Sequence, residues 1–391
     1  MKNRYIILLL IVFTGGILNA QSYEEVIQSV KSNNTGIEAD TKLLKAEEYK
    51  SKTGLFPENP VFQYGYFPGN KSAIGSKETI DISQGIEFPT TYVNRKKLGK
   101  AEFEIGSLLV QDRMQQILWE AQSVYLELVY LNRYKDALQY RLEQAEKLYN
   151  ATKTKFDMND ASIIDLSKTE LLLAEFEAQI MSVSCELDVY NEKLKMLNKN
   201  SSLEVYSKEY PNLELKDYDA FLSELIEKHP ILRSLEKESE FAQRQISLNR
   251  SLWLPDLSVG YSSETILGNS YKGFKFGLSI PLWKDLNKVR YSKAFAEYTE
   301  VKNIDQRMKI ESWLAQKYKM AIMYKQNMEK YKSIFDSNNI TELLDKSLNL
   351  GQISMIEYIL EKTFFYEMYD KYLEYERGYY QTVAEMERFR L

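Results

Sequence analysis

Two heptapeptides place an acid three residues after a Ser: Asn159-Asp160-Ala161-Ser162-Ile163-Ile164-Asp165 and Gly351-Gln352-Ile353-Ser354-Met355-Ile356-Glu357. Ser162 with Asp165 and Ser354 with Glu357 have the form of capping boxes, in which hydroxyl and carboxylate each accept from the other residue's amide. Each therefore predicts a helix start after a turn, with Gly351 or Asn159 as the residue that tolerates a left-handed conformation. Few residues could do covalent chemistry. Among 391 residues there is one His, His229, and one Cys, Cys185, so no CxxC pair, Cys/His zinc cluster, haem-attachment motif or His-based triad can be assembled within one chain. No cofactor and no metal site is expected. His229, followed by Pro230, reads as a helix start, and Cys185, between Val183 and Leu187, as a packed thiol. With 51 Lys and Arg against 56 Asp and Glu, the charge balance argues against a nucleic-acid partner, which needs a concentrated cationic footprint.

The elements that must position these residues follow from the prolines and the apolar periodicity. All eight prolines lie between positions 57 and 281, and none falls in 90–210 or 282–391, so those two tracts read as long helices. Ile117, Ala121, Val124, Leu128 and Leu131 recur at spacings of four and three, as do Leu138, Leu142, Ala145, Tyr149, Thr152 and Phe156. Leu173, Phe176, Ile180, Val183, Leu187, Tyr190, Leu194 and Leu197 continue the alternation, the pattern of antiparallel helices packed as a coiled coil. A helix from about Tyr92 to Lys155 would be on the order of 95 Å long.

Between the prolines the period changes to two. Ile80, Ile82, Ile86 and Phe88 alternate with Asp81, Ser83, Gly85 and Glu87, and Phe274, Phe276, Leu278 and Ile280 alternate with Gly273, Lys275, Gly277 and Ser279. Phe62, Tyr64 and Tyr66, and later Leu257, Val259 and Tyr261, precede them with the same alternation. The chain thus holds two β-hairpins, each joined by a polar Gly- or Ser-containing loop. An aromatic outer face and a small or polar inner face fit a transmembrane barrel wall, with Asp81, Ser83, Glu87, Lys275 and Ser279 toward the lumen. A half-buried sheet on a soluble core alternates similarly. At the start, Lys2 and Arg4 precede an apolar run and Leu18-Asn19-Ala20 resembles a cleavage site, so residues 1–20 read as a secretory signal peptide; an uncleaved anchor is the alternative. No Cys follows the cleavage site, so no lipid anchor is expected there.

The sequence also repeats. Asn34 through Pro60, Gly65 and Tyr66 matches His229 through Pro255, Gly260 and Tyr261 at an offset of 195, and Gly85 to Pro89 matches Gly277 to Pro281 at 192. The two capping heptapeptides match at 192 again. Residues 21–198 and 217–391 are expected to be two structural repeats, each helix, strand, strand, long helix, turn, helix, with 199–216 as linker. Four strands cannot close a barrel, and an open lipid-facing edge is forbidden, so a barrel would be shared between chains.

The Pro-containing strand starts Pro57-Glu58-Asn59-Pro60 and Leu254-Pro255-Asp256-Leu257, the strand exits Phe88-Pro89 and Ile280-Pro281, His229-Pro230-Ile231-Leu232 and the two Ser/acid turns together resemble the TolC-like outer-membrane efflux proteins over nearly the whole chain. Asn159 in place of Gly is a departure. The resemblance implies a mixed α+β, mostly α fold: long antiparallel coiled-coil helices forming a periplasmic tunnel, with four strands contributed to a twelve-stranded barrel shared by a homotrimer. It implies passive conduction across the outer membrane of a Gram-negative bacterium, in contact with outer-membrane lipid. An inner-membrane pump, of the RND type, and a periplasmic membrane-fusion adaptor would load the cargo, either drugs or heavy-metal cations. The turns holding Asn159, Asp160, Ser162, Gly351, Gln352 and Ser354 would meet the adaptor. Glu357 and Asp165 match positions that make an acidic constriction, where three like charges would repel one another and attract cations. The run Tyr366, Tyr369, Tyr372, Tyr375, Tyr379 and Tyr380 reads as interhelical packing, with a lumen lining as the alternative. A periplasmic coiled-coil adaptor or scaffold without a pore competes with the duct, but would not need two hairpins in a repeat. No enzymatic site is apparent.

Overall fold

The computed structural model describes residues 22–70, 74–337 and 339–391; the signal peptide expected over 1–20 lies outside them. The chain runs α1 (Tyr23–Asn33), α2 (Thr35–Lys50), β1 (Val61–Pro68), β2 (Ser76–Ile86), α3 (Pro89–Asp157) and α4 (Ile163–Leu197). It continues through α5 (Tyr218–Lys228), α6 (Pro230–Ser251), β3 (Asp256–Ile266), β4 (Asn269–Ser279), α7 (Lys288–Ser337), α8 (Ile340–Asn349) and α9 (Met355–Glu387). It is a mostly helical α+β fold with one small sheet.

Each hairpin is preceded by a pair of helices that meet at a capping residue. Asn34 Oδ1 accepts from the amides of Gly36 and Ile37 at 2.8 and 3.1 Å, and His229 Nδ1 accepts from Ile231 at 3.2 Å. Pro230 occupies the first helical position, where its missing N–H costs nothing. His229 is therefore a helix start. Burial and the nearby Arg388 charge hold its pKa down to about 4, which keeps the ring neutral and able to accept.

α3 spans 69 residues, on the order of 100 Å at 1.5 Å per residue. Its 3/4 positions Ala121, Val124, Leu128, Leu131, Leu138 and Ala145 are buried, as are Phe176, Val183, Leu187, Leu194 and Leu197 of α4, in one apolar cluster. Cys185 differs from expectation, being exposed. Two residues along a helix turn the side chain by about 200°, so a residue midway between Val183 and Leu187 points away from their seam. The extended stretch before α5 lies along the helices: Leu203 and Val205 are buried, Asn132 Nδ2 donates to the Val205 carbonyl at 2.9 Å, and Tyr210 stacks on Tyr380 at 4.1 Å between centroids.

The second long helix is not continuous. It is split into α7 and α8, and Asn339, the residue before α8, is not helical, at φ −88° and ψ 54°; Asn competes for backbone hydrogen bonds and disfavours helix interiors. α7 also buries little, with four buried residues against twenty in α3.

Side-by-side contacts order the helices as α4, α3, α9, α7 in the half away from the sheet and as α2, α3, α6, α7 in the half next to it. The sheet is antiparallel in the order β1-β2-β3-β4. β2 ends at Ile86, short of the Phe88 expected, because Pro89 opens α3 and Phe88 is already its cap. The second hairpin turns on Leu267-Gly268, at φ 48° and 80°, rather than on a polar loop. This two-residue turn with both φ positive suits the strand twist, and it lets β4 begin at Asn269.

Candidate functional site

The two Ser/acid turns close the helical pairs in the same way. After α3, Asn159 adopts φ 61° and the Asp160 amide donates to the Lys155 carbonyl at 2.8 Å. After α8, Gly351 adopts φ 66° and the Gln352 amide donates to Ser347 at 2.9 Å. Ser162 and Ser354 are the N-caps of α4 and α9, each in a complete capping box. The Asp165 amide donates to Ser162 Oγ at 3.0 Å, and Ser162 Oγ donates to Asp165 Oδ2 at 2.7 Å. The Ser354 amide donates to Glu357 Oε2 at 2.8 Å. These bonds hold both carboxyls below the usual carboxylate range, Asp165 chiefly through the Ser162 hydroxyl and Glu357 chiefly through the Ser354 amide. Both acids are thus ionised at neutral pH.

The turns lie at one end of the bundle. A cavity between α3, α4 and α9 is lined by Leu148, Leu172, Phe176, Tyr358 and Lys362, residues within a few turns of both. Here α8 is pinned to α9. Asp345 accepts from Tyr358 Oη at 2.7 Å and pairs with the buried Lys362 at 2.8 Å. Met158 and Leu350, beside the left-handed residues, stand 70 and 72 % exposed.

At the other end, the register puts Asp81, Ser83, Lys275 and Ser279 on a single face. Gln63 opposes Asp81, Asp81 opposes Ser262, and Ser262 opposes Gly273, while Ser83, Gly260 and Lys275 form the next row. Lys275 reaches diagonally across β3 to Asp81 at 2.5 Å. Ser279 ends this face on β4, opposite Asp256. The reverse face carries Phe62, Tyr64, Ile80, Ile82, Leu257, Val259, Phe274, Phe276 and Leu278, all exposed, with Phe274 and Phe276 at 79 and 82 %. Of the five strand residues singled out by alternation, Glu87 alone lies off the sheet. It follows β2 and pairs with Arg95 of α3 at 2.8 Å.

Periodicity did not disclose the polar joint between α3 and α9. Arg141, 3 % exposed, meets Asp370 at 2.5 and 2.9 Å and lies over the Tyr366 ring at 4.6 Å. Arg377 pairs with Glu127 at 2.9 Å, Arg133 pairs with Glu376, and Gln381 exchanges hydrogen bonds with Ser123. The tyrosine run packs between helices: Tyr366, Tyr372 and Tyr379 are buried, and Phe335 of α7 contacts Phe365, Tyr369 and Tyr372. Among the described residues no group of His, Cys, Asp and Glu could hold a metal ion, and no helix is long and apolar enough to cross a membrane.

No protein-family model matches the sequence, and no curated protein is significantly similar to it. Solved structures are similar in fold over 94 % of the chain. CusC matches at TM-score 0.80 with 10 % identity, covering 91 % of that chain. The Campylobacter jejuni outer-membrane channel CmeC matches at 0.72 with 14 % identity over 85 % of its chain. The Vibrio cholerae outer-membrane protein VceC matches at 0.76 with 10 % identity over 95 % of its chain. This chain has the fold of the TolC-like outer-membrane channels.

Proposed function

We propose that three copies of this chain form an exit duct through the outer membrane and periplasm of a Gram-negative bacterium. The observation that carries this reading is the placement of the uncovered edges. β1 and β4 are the two free edges of the sheet; α2 and α4 end the helix order on the β1 side, and α7 ends it on the β4 side. A head-to-tail contact between these flanks generates a ring, and three copies give twelve strands with no open edge and an apolar outer face. The helices on these flanks carry apolar stripes at different levels, α4 in the half away from the sheet and α7 in the half next to it, so that in the ring the α7 stripe meets α2 of the neighbouring copy and the α4 stripe meets the far half of α7. Leu171, Ala174, Ala178, Met181, Cys185, Val189 and Met196 run exposed along α4, and Tyr291, Tyr298, Val301, Ile304 and Met308 run exposed along α7. Each stripe is the apolar half of a coiled-coil seam awaiting a partner helix.

In this assembly the two repeats, 21–198 and 217–391 about the linker 199–216, alternate around the axis. Asp81, Ser83, Lys275 and Ser279 line the barrel. Glu357 forms an acidic constriction at the periplasmic tip, with Asp165 nearby. The turns holding Asn159, Asp160, Ser162, Gly351, Gln352 and Ser354 receive the membrane-fusion adaptor, with the exposed Met158 and Leu350 as apolar contacts. The duct makes and breaks no bond: an inner-membrane pump of the RND type supplies the driving force, and the cargo is a drug or a heavy-metal cation. Planar-bilayer recording tests the reading. Purified protein should give cation-selective channels, and Glu357→Ala should raise resting conductance and reduce that selectivity. Channels unchanged by Glu357→Ala would remove the constriction, and no channels at all would remove the duct.

A further inference from the structure

The segments joining sheet to helices are far more basic than the rest of the chain. Residues 45–60, 87–100, 244–256 and 280–293 hold thirteen Lys and Arg against six Asp and Glu, in a chain whose net charge is −5. All four segments meet the same end of the sheet: the last turns of α2 and α6 lead into β1 and β3, and the first turns of α3 and α7 follow β2 and β4. Some of the cations are neutralised within the collar, Lys50 by Glu47 and Glu102, Lys52 by Glu48 and Lys288 by Asp285. Lys96, Lys97, Arg250, Lys284, Arg290 and Lys293 are exposed and take part in no ion pair among the described residues. Aromatic side chains stand exposed at the same level: Phe56 at 83 %, Trp283 at 77 %, Tyr291 at 62 % and Trp253 at 42 %. The described hairpin ends at the opposite edge, residues 66–70, 74–78 and 264–272, are balanced, with two Lys against two Glu.

We infer that this collar binds the anionic phospholipid headgroups of the leaflet that the helices leave. Aromatic rings with one apolar body and one polar tip settle at a membrane interface. Each Lys or Arg beside an anionic surface adds about 1 kcal/mol of attraction, which falls off within a Debye length. A water-filled lumen would explain unpaired cations but not the exposed indoles beside them. The inference rests on the sheet spanning a bilayer, as proposed above.

The test uses the full-length protein in nanodiscs of phosphatidylethanolamine alone and of phosphatidylethanolamine with one quarter phosphatidylglycerol, reading the thermal midpoint of trimer dissociation. The expected result is a midpoint several degrees higher with phosphatidylglycerol, a gap that shrinks at 0.5 M NaCl, about 4 Å of screening length. The gap should vanish in the variant Lys96→Gln, Lys97→Gln, Arg290→Gln, Lys293→Gln and persist in Lys147→Gln, Lys153→Gln, Lys155→Gln, Lys168→Gln, which removes equal charge near the other end. Free phosphate should not reproduce it. Equal midpoints in the two lipids, or a gap that the collar variant keeps, would overturn the inference while leaving the duct intact. A collar variant that changes ion selectivity but keeps the lipid gap would place the cations in the lumen. Should that variant fail to assemble, the salt dependence of the unaltered protein decides. Failure of the unaltered protein to enter either bilayer would instead remove the membrane-spanning reading itself.

Discussion

The two halves of the chain repeat the same order of elements and use it differently. α3 is a single helix of 69 residues that touches α2, α4, α6 and α9, and its apolar faces are satisfied within the protomer. Its counterpart is cut into α7 and α8, buries four residues along α7, and leaves Tyr298, Val301 and Met308 at least 60 % exposed. One long helix is therefore a spine and its counterpart an edge. The difference shows how a repeat can keep its topology while dividing labour: a helix with neighbours on all sides cannot form an interface, and one that forms an interface cannot be fully buried in the monomer.

The joint between the halves is where the comparison breaks most easily. Arg141→Ala leaves the partly exposed Asp370 without its partner, and the about 3 to 5 kcal/mol lost on breaking a fully buried pair sets the upper bound of the cost. Urea unfolding followed by circular dichroism reads the loss, and a cost under about 1 kcal/mol would mean that the α3 to α9 contact does not depend on this ladder. Next come the helices themselves. Leu128→Ala, at a fully buried site of α3, should cost about 2 to 5 kcal/mol. Val301→Ala on α7 should leave protomer unfolding nearly unchanged and lower the yield of oligomer on native gels. Equal protomer costs for the two would erase the distinction between spine and edge.

The turns sharpen the comparison on a smaller scale. Gly351 and Asn159 share a left-handed backbone, so Gly351→Ala should destabilise by about 1 kcal/mol, because the added Cβ is strained there. Asn159→Gly should be neutral or slightly stabilising. A penalty for Asn159→Gly as large as for Gly351→Ala would show that the Asn side chain itself has a role.

A separate difference between the halves shows in pH. His229 has its pKa depressed to about 4 from an ordinary 6.5, so its contribution is present in full above pH 6.5 and is lost as pH falls toward 4, where the buried ring must charge. Asn34, capping the matching helix of the first half, does not titrate. His229→Asn should therefore flatten stability across that window, and an unaltered slope between pH 6.5 and 4.5 would assign it to other groups.

Much of this was legible in the sequence because periodicity records which face is covered. The seam from Leu173 to Leu197 and the strand alternation around Ile80 and Phe274 each follow one rule over many residues, and the repeat offset placed the turns without any contact information. The capping boxes at Ser162 and Ser354 were legible because their bonds are local. What escaped is non-local or depends on one residue. The Arg141 to Asp370 pair joins positions 229 apart, with no spacing to betray it. Cys185 shares its helix with the seam but points elsewhere. The α7 to α8 break falls at Asn339, a weak helix former rather than a Pro. Glu87 kept the strand's parity, yet Pro89 had already ended the strand.

In the proposed duct the uncovered flanks of one copy meet those of the next and close a ring. Electron microscopy of protein extracted by detergent from outer membranes tests it directly. The expected result is threefold end views and side views of a cylinder with a helical tunnel on the order of 100 Å long below a short barrel. Monomeric rods, or open and unclosed assemblies, would contradict it.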